Sequence, residues 1–234
     1  VALEICGFDQ VFKKVGMEPT GDPFNSLMKL ENTDSSPYNP MINAGAIVVA
    51  SCLASEISFD TMLDTIRALC MDPDINLDKK VYHSEMSHIS RNRAIAYLLE
   101  SKGYIEKNKD VENSLHFYVK MCSLSVTAES LAGLGLILAN DGIHPDTGKR
   151  LLSSQAVKIV KTLMFTCGMY DGSGEFAVRV GIPSKSGVGG GIMAVVPTRM
   201  GIGIFSPALD EKGNGYAGIM LLQKLSEQLF LSIF

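Results

Sequence analysis

Pro183-Ser-Lys-Ser-Gly-Val-Gly-Gly-Gly191 lies between two apolar, strand-like runs, Phe176-Ala-Val-Arg-Val180 and Ile192-Met-Ala-Val-Val196. A glycine has no Cβ, so four of them let another molecule approach the backbone closely. Exposed N–H groups in such a turn can stabilise a developing oxyanion, and Lys185 places a positive charge beside it. The plainer alternative is a glycine-rich hairpin on a sheet edge. Either reading puts an antiparallel sheet in the last third of the chain.

Outward from that stretch the pattern is consistent. Gly201 to Phe205 is a further strand, joined through the hairpin loop Pro197-Thr-Arg-Met200. Gly213 to Gly215 is a turn, and Tyr216 to Phe230 reads as an amphipathic helix with Ile219, Leu222, Leu225 and Leu229 on one face. Upstream the period is helical. Phe8, Val11, Phe12 and Val15 have helical spacing, and Gly16 stops them. Asn39-Pro-Met-Ile-Asn-Ala-Gly-Ala-Ile-Val-Val-Ala50 opens a helix apolar nearly all round, which implies burial. Ser58 caps a helix to about Met71, Asp78 to Ser101 gives a stripe of Ala94, Ile95, Leu98 and Leu99, and helices follow at Asp110–Met121 and Thr127–Asn140. Ser153 or Ser154 caps another that reaches about Phe165. Between Glu18 and Pro40, turn residues frame the short apolar patch Phe24-Asn-Ser-Leu-Met-Lys-Leu30, a candidate gate.

The 234 residues suffice for one large domain or two lobes sharing a core. With 46% hydrophobic and 20% charged residues the chain packs a core and is not disordered. A net charge of -4 and the lack of a Lys/Arg cluster speak against nucleic-acid binding. No run of eighteen apolar residues suggests a membrane span. Cys6, Cys52, Cys70, Cys122 and Cys167 are dispersed without a C-x-x-C pair, the pattern of reduced thiols in a cytoplasmic protein. His83 and His88 lie outside any H-E-x-x-H frame, so no metal is expected.

Several polar residues stand out. Glu85 and Asn92 are seven apart, about two turns, so on one continuous helix they share a face and can clamp both ends of a zwitterion. A solvated face is the other explanation. Asn43, at the mouth of a buried helix, is a helix cap or a ligand contact. Tyr118 lies on a helix. Tyr170, in Cys167-Gly-Met-Tyr-Asp-Gly-Ser-Gly174, can relay a proton or donate a hydrogen bond, or simply rest half-buried with its hydroxyl in water. Lys185-Ser-Gly187 parallels the K-T-G element that serine acyl-transferases pair with S-x-x-K. Ser26-Leu-Met-Lys29 has that spacing, but it falls in the candidate gate near Glu31 and Asp34. A lysine exposed there stays protonated and makes a poor base.

Taken together, Asn39 to Val49, Ser84-Glu85 with Arg91-Asn92, Phe117-Tyr118 with Cys122-Ser123, Cys167-Gly-Met-Tyr-Asp171 and Lys185 to Gly191 resemble the glutaminases of the serine β-lactamase-like superfamily. The blocks keep that family's order and span nearly the whole chain. The resemblance implies an α+β fold of β-lactamase/transpeptidase type: an antiparallel sheet flanked by helices, plus a helical lobe. It divides one partial catalytic domain into the tail of the nucleophile helix and a lid loop (1–30), a mainly helical lobe (31–165), and a sheet with a C-terminal helix (166–234).

The implied reaction is hydrolysis of L-glutamine, a linear amide, to L-glutamate and ammonia through a serine acyl-enzyme. Asn43, Glu85, Asn92 and Tyr118 match the positions that hold the amino acid's two charged ends and line its pocket. Tyr170 matches a tyrosine beside the reacting amide, and Val188 a residue whose N–H serves the oxyanion hole. Phe24-Asn25 resembles part of a mobile loop over the active site. No metal or organic cofactor is implied, and a homodimer or homotetramer is.

The family's S-x-x-K opens the helix whose tail resembles Val1-Ala-Leu-Glu-Ile5, so nucleophile and base are expected before residue 1, along with a further tyrosine and the first sheet strands. The 234 residues alone are then expected to release no ammonia and to aggregate. The alternatives are another serine acyl-transferase of this fold, a β-lactamase or transpeptidase, and a non-catalytic glutamine-binding fragment.

Overall fold

The computed structural model describes residues 1–27, 30–31, 35–107 and 109–234. They form two compact units, one made of residues 1–18, 22–65 and 75–125, the other of residues 19–21, 66–74 and 126–234.

The first unit is helical. Short helices α1 (Ala2–Ile5) and α2 (Phe8–Phe12) precede α3 (Asn43–Ala54), and α4 (Phe59–Cys70) begins here. Then come α5 (Lys79–Ser87), α6 (Ser90–Ser101) and α7 (Val111–Cys122). Strands β1 (Asn76–Leu77) and β2 (Leu124–Ser125) pair antiparallel. Side chains set the helix starts. Ser58 accepts the N–H of Thr61 at 3.1 Å, Asp78 accepts those of Lys80 and Val81, and Asp110 that of Asn113. Each satisfies a donor that the first helical turn leaves orphaned.

Burial is uneven in ways a period alone does not reveal. Helix α3 hides Ala44, Ile47, Val48, Cys52 and Leu53, as its all-round apolar sequence requires. It shares a core with Ile95, Leu99, Leu115 and Val119, and Leu30 of the expected gate is also buried there. Helix α1 buries none of its residues. Ala94 is exposed and Ala96 takes its place on the buried stripe. Lys29 lies outside the described residues; Ser26 donates its N–H to Pro23.

In the second unit, β3 (Ser184–Ser186), β4 (Gly191–Val196) and β5 (Met200–Phe205) make an antiparallel sheet in that order. Around it are α8 (Ala128–Ala139), α9 (Ser154–Cys167), a 3₁₀ turn (Tyr170–Gly172), α10 (Ser173–Arg179) and α11 (Tyr216–Leu229). Thr127 and Ser130 form a reciprocal capping box on α8, and Ser153, not Ser154, caps α9. Successive β4 residues face opposite sides. Ile192, Ala194 and Val196 join Leu222, Phe176 and Val180 in one core. Met193 and Val195 pair with Gly203 and Gly201. A Cβ on Gly203 would come 1.8 Å from the Ala128 carbonyl oxygen, and one on Gly201 2.1 Å from that of Ala132. The glycines of β5 therefore let α8 lie backbone to backbone on the sheet, so β4 is buried on both faces and reads as an unbroken apolar run.

Two expectations fail here. Phe176–Val180 is helical, within and just after α10, and not a strand. Phe176 and Val180 are buried one helical turn apart, Val178 is 89% exposed, and Glu175 pairs with Arg179 at i,i+4. A β-branched five-residue run fits both periods, and burial on the i,i+4 face decides it. On α11, Leu222 is buried but Leu229 is 47% exposed.

The mixed architecture of helices and small antiparallel sheets is α+β. No single helix among the described residues is long and apolar enough to cross a membrane.

Candidate active site

In the first unit the chemistry gathers where α3 begins. Asn43 is the first residue of α3, and Ile42 occupies the cap position without a side-chain cap bond. The amide of Asn43 is thus not used as a cap. Its Nδ2 donates to Oδ1 of Asn92 at 3.0 Å. That bond leaves the Asn92 Nδ2 donors and the Asn43 Oδ1 acceptor unused by the pair. Among the described residues the Asn92 Nδ2 donors, the second Asn43 Nδ2 hydrogen and the Asn43 Oδ1 have no protein partner, and the donors are suited to a ligand carboxylate. The Asn43 N–H donates to the Phe24 carbonyl at 3.0 Å, and Arg91 Nε to the Asn25 carbonyl at 2.8 Å. The Phe24-Asn25 backbone is therefore tied to the residues flanking this amide pair.

Glu85 lies near the end of α5 and Asn92 in the first turn of α6. The continuous helix anticipated for 84–92 is broken at His88, whose φ of -112° and ψ of 16° leave the helical range. The two-turn separation therefore does not apply. Buried Ile89 joins the apolar core, and the chain restarts at Ser90. Polar residues on both sides of the break mask it in the sequence. The Glu85 carboxylate is exposed and among the described residues pairs with no cation, so it is available to an ammonium group. Tyr118, on α7, is half-buried and packs against the first unit's core.

In the second unit, Tyr170 is only 9% exposed and has a φ of +55°. This left-handed conformation costs a non-glycine residue roughly 1 kcal/mol. Buried Ser173 braces it, accepting the Met169 N–H at 3.0 Å and donating to the Tyr170 carbonyl at 2.8 Å. The phenol donates to the Ser186 carbonyl at 3.3 Å, and the Lys185 ammonium, 4.3 Å from the centre of the Tyr170 ring, donates to the same carbonyl. Gly168 makes the approach possible, since a Cβ there would lie 1.8 Å from the Ser184 carbonyl oxygen.

Strand β3 leads straight into the glycine turn. Gly190 donates to the Gly187 carbonyl at 2.9 Å, closing a β-turn with Val188 in its second position. Gly187 donates to Gly191 at 2.9 Å. The N–H groups of Val188 and Gly189 find no acceptor among the described residues, and Val188 is 54% exposed. The stretch is a hairpin between β3 and β4, and its tip presents N–H donors unspent among the described residues.

The structure links Asn43 with Asn92, and Tyr170 with the strand that leads into the Val188 turn. Among the described residues Glu85 makes no hydrogen bond to either amide. Sequence reasoning passed over Ser186 and Asn214, both buried and hydrogen-bonded to each other. Their signal was slight: a serine inside Lys-Ser-Gly and an asparagine inside a Gly-Asn-Gly turn. Among the described residues no cluster of His, Cys, Asp or Glu could hold a metal ion.

A glutaminase family model matches residues 1–234. Glutaminase 2 of Clostridium perfringens is 52% identical over 232 residues, covering 97% of this chain and 75% of the relative. The crystal structure of a Bacillus subtilis probable glutaminase superposes with a TM-score of 0.94 at 42% identity, over all of this chain and 78% of that one. A Bacillus subtilis glutaminase in covalent complex with 5-oxo-L-norleucine, formed with 6-diazo-5-oxo-L-norleucine, matches with a TM-score of 0.87 at 39% identity, over all of this chain and 77% of that one.

Proposed function

The chain belongs to the glutaminase family, with the β-lactamase-like fold, whose reaction is the hydrolysis of L-glutamine to L-glutamate and ammonia; from that premise we propose that this reaction runs through a serine acyl-enzyme. Asn43 and Asn92 hold the α-carboxylate through neutral amide donors, Glu85 takes the α-ammonium, and Tyr118 lines the pocket. A serine hydroxyl adds to the side-chain amide carbon. The carbonyl oxygen gains negative charge and is met by the Val188 N–H, while Tyr170 sits beside the reacting amide. The proton lost by the serine hydroxyl passes to the departing nitrogen as the C–N bond breaks and ammonia leaves; water then adds to the ester, its oxygen completing the glutamate carboxyl group while a proton returns to the serine oxygen.

The observation that carries this reading is the unspent Val188 N–H at the tip of a turn whose other donors are engaged or adjacent to it. The covalent complex of the Bacillus subtilis relative supports a covalent route. Treating the active enzyme with 6-diazo-5-oxo-L-norleucine and mapping the peptides by mass spectrometry should find one adduct, on a serine, blocked by L-glutamate. An unmodified enzyme, or an adduct on a cysteine, would overturn the acyl-serine route.

The Phe24-Asn25 backbone, bonded to Asn43 and Arg91, fits a cover over bound glutamine. Five free cysteines fit a cytoplasmic, reducing setting. Phe230 and Phe234 are each 86% exposed, which supports assembly as a homodimer or homotetramer. Light scattering of the active enzyme should report two or four copies; a monomer at micromolar concentration would remove that assignment.

A further inference from the structure

Asn214 is 1% exposed, and every polar group it owns is engaged. Its Oδ1 accepts the hydroxyl of Ser186, and its Nδ2 donates to the Met169 carbonyl at 3.4 Å. A carbonyl can only accept, so the Met169 contact fixes which way the amide points. The Asn214 N–H donates to Asp210 Oδ1 at 2.8 Å and its carbonyl accepts the Asp210 N–H at 2.8 Å, which holds the loop rigid. Met169 immediately precedes Tyr170, and Ser186 lies two residues before Val188. One side chain thus spans the two segments that carry the reacting groups, which are also joined by the Ser186 N–H to the Gly168 carbonyl at 3.2 Å and by the Tyr170 phenol to the Ser186 carbonyl at 3.3 Å.

We propose that Asn214 is a positioning residue for glutamine hydrolysis: its amide locks the Tyr170 segment to the strand that feeds the Val188 turn, and so sets where the oxyanion donor stands. The proposal rests on the roles given above to Tyr170 and Val188. Loss of the lock shifts the donor relative to the reacting carbonyl, and displacements of about 1 Å can cost about 100-fold in rate. The groups that bind the amino acid's charged ends belong to other elements, so ground-state binding is spared.

The test compares Asn214→Ala, Asn214→Asp and Ser186→Ala in the active enzyme. Asn214→Ala should lower kcat about 10- to 100-fold with KM changed less than about 3-fold. Ser186→Ala breaks the same bond from its other end and stands in if Asn214→Ala does not fold. The double variant should be no worse than the weaker single one, because both remove one lock. Asn214→Asp supplies the sharpest reading. As a carboxylate it has no donor for Met169. Once protonated it regains an O–H for that carbonyl while its other oxygen still accepts from Ser186. Asp210 on the same loop, Lys212 and Glu175 nearby, and Lys185 and Tyr170 beside Ser186 are the same in both proteins. The ratio of variant to unmodified kcat should therefore rise as pH falls. A flat ratio, additive losses in the double variant, or a KM effect with kcat intact would overturn the proposal. Val188→Pro distinguishes the two levels: if it spares kcat, the oxyanion role fails; if it abolishes turnover while Asn214→Ala does not, only the positioning role fails.

Discussion

Val188→Pro should reduce kcat for L-glutamine about 100- to 1,000-fold while leaving KM nearly unchanged, the loss expected when one oxyanion donor is removed. The substitution isolates a single hydrogen atom. Val188 is the second residue of the turn closed between Gly187 and Gly190, where the fixed φ of proline is well tolerated. Its side chain is more than half exposed, so little packing is lost. Its N–H bonds no protein acceptor among the described residues, so no structural hydrogen bond disappears with it. Val188→Ala, which keeps the N–H, should stay within about 3-fold of the unmodified enzyme, the scale of a surface change. Steady-state assays of released ammonia on both variants decide the matter. Equal activity of the proline and alanine variants would remove Val188 from the oxyanion site.

Glu85→Gln should lower kcat/KM for L-glutamine about 10- to 100-fold, chiefly through KM, because an ion-assisted contact to the α-ammonium becomes a neutral one. The glutamine side chain keeps the shape and the acceptor oxygen, so only the charge is withdrawn. The diagnostic is a substrate analogue lacking the α-amino group. The unmodified enzyme should use it poorly and Glu85→Gln should use it no worse, so that discrimination between the two substrates collapses. If both substrates lose equally, Glu85 supports the fold and does not read the ammonium. The structure favours the charge-reading role in one respect: the carboxylate is exposed and pairs with no cation among the described residues, whereas Glu112 on α7 is held by Arg93 Nε at 2.9 Å. That bond to Arg93 holds the Glu112 carboxyl below the usual carboxylate range.

Local chemistry determined a good deal of this molecule. Ser58, Asp78, Asp110, Thr127 and Ser153 mark helix starts because an orphaned N–H must be met within one turn, a rule that operates on neighbours in the chain. Gly191–Val196 is a strand bounded by glycine, and Asn43–Ala54 is largely buried with no exposed residue, as their compositions imply. The family, and with it the reaction, was legible because five short blocks keep their order along the chain, though each block alone admitted a plainer explanation.

Tertiary structure decided what local periods leave degenerate. Phe176-Ala-Val-Arg-Val180 satisfies strand and helix patterns alike, and it is a helix because Phe176 and Val180 are buried in the same core. The helix expected across 84–92 breaks because Ile89 is drawn into the first unit's core, and a pull from distant residues leaves no mark on its neighbours. Asn43 reads first as a cap and second as a ligand contact until Asn92, forty-nine positions away, takes its amide. Asn214 was invisible for the same reason. Its importance lies in reaching Met169 and Ser186 at once, and a hydrogen bond closed over a long loop is specified by the folded backbone and not by the residues on either side.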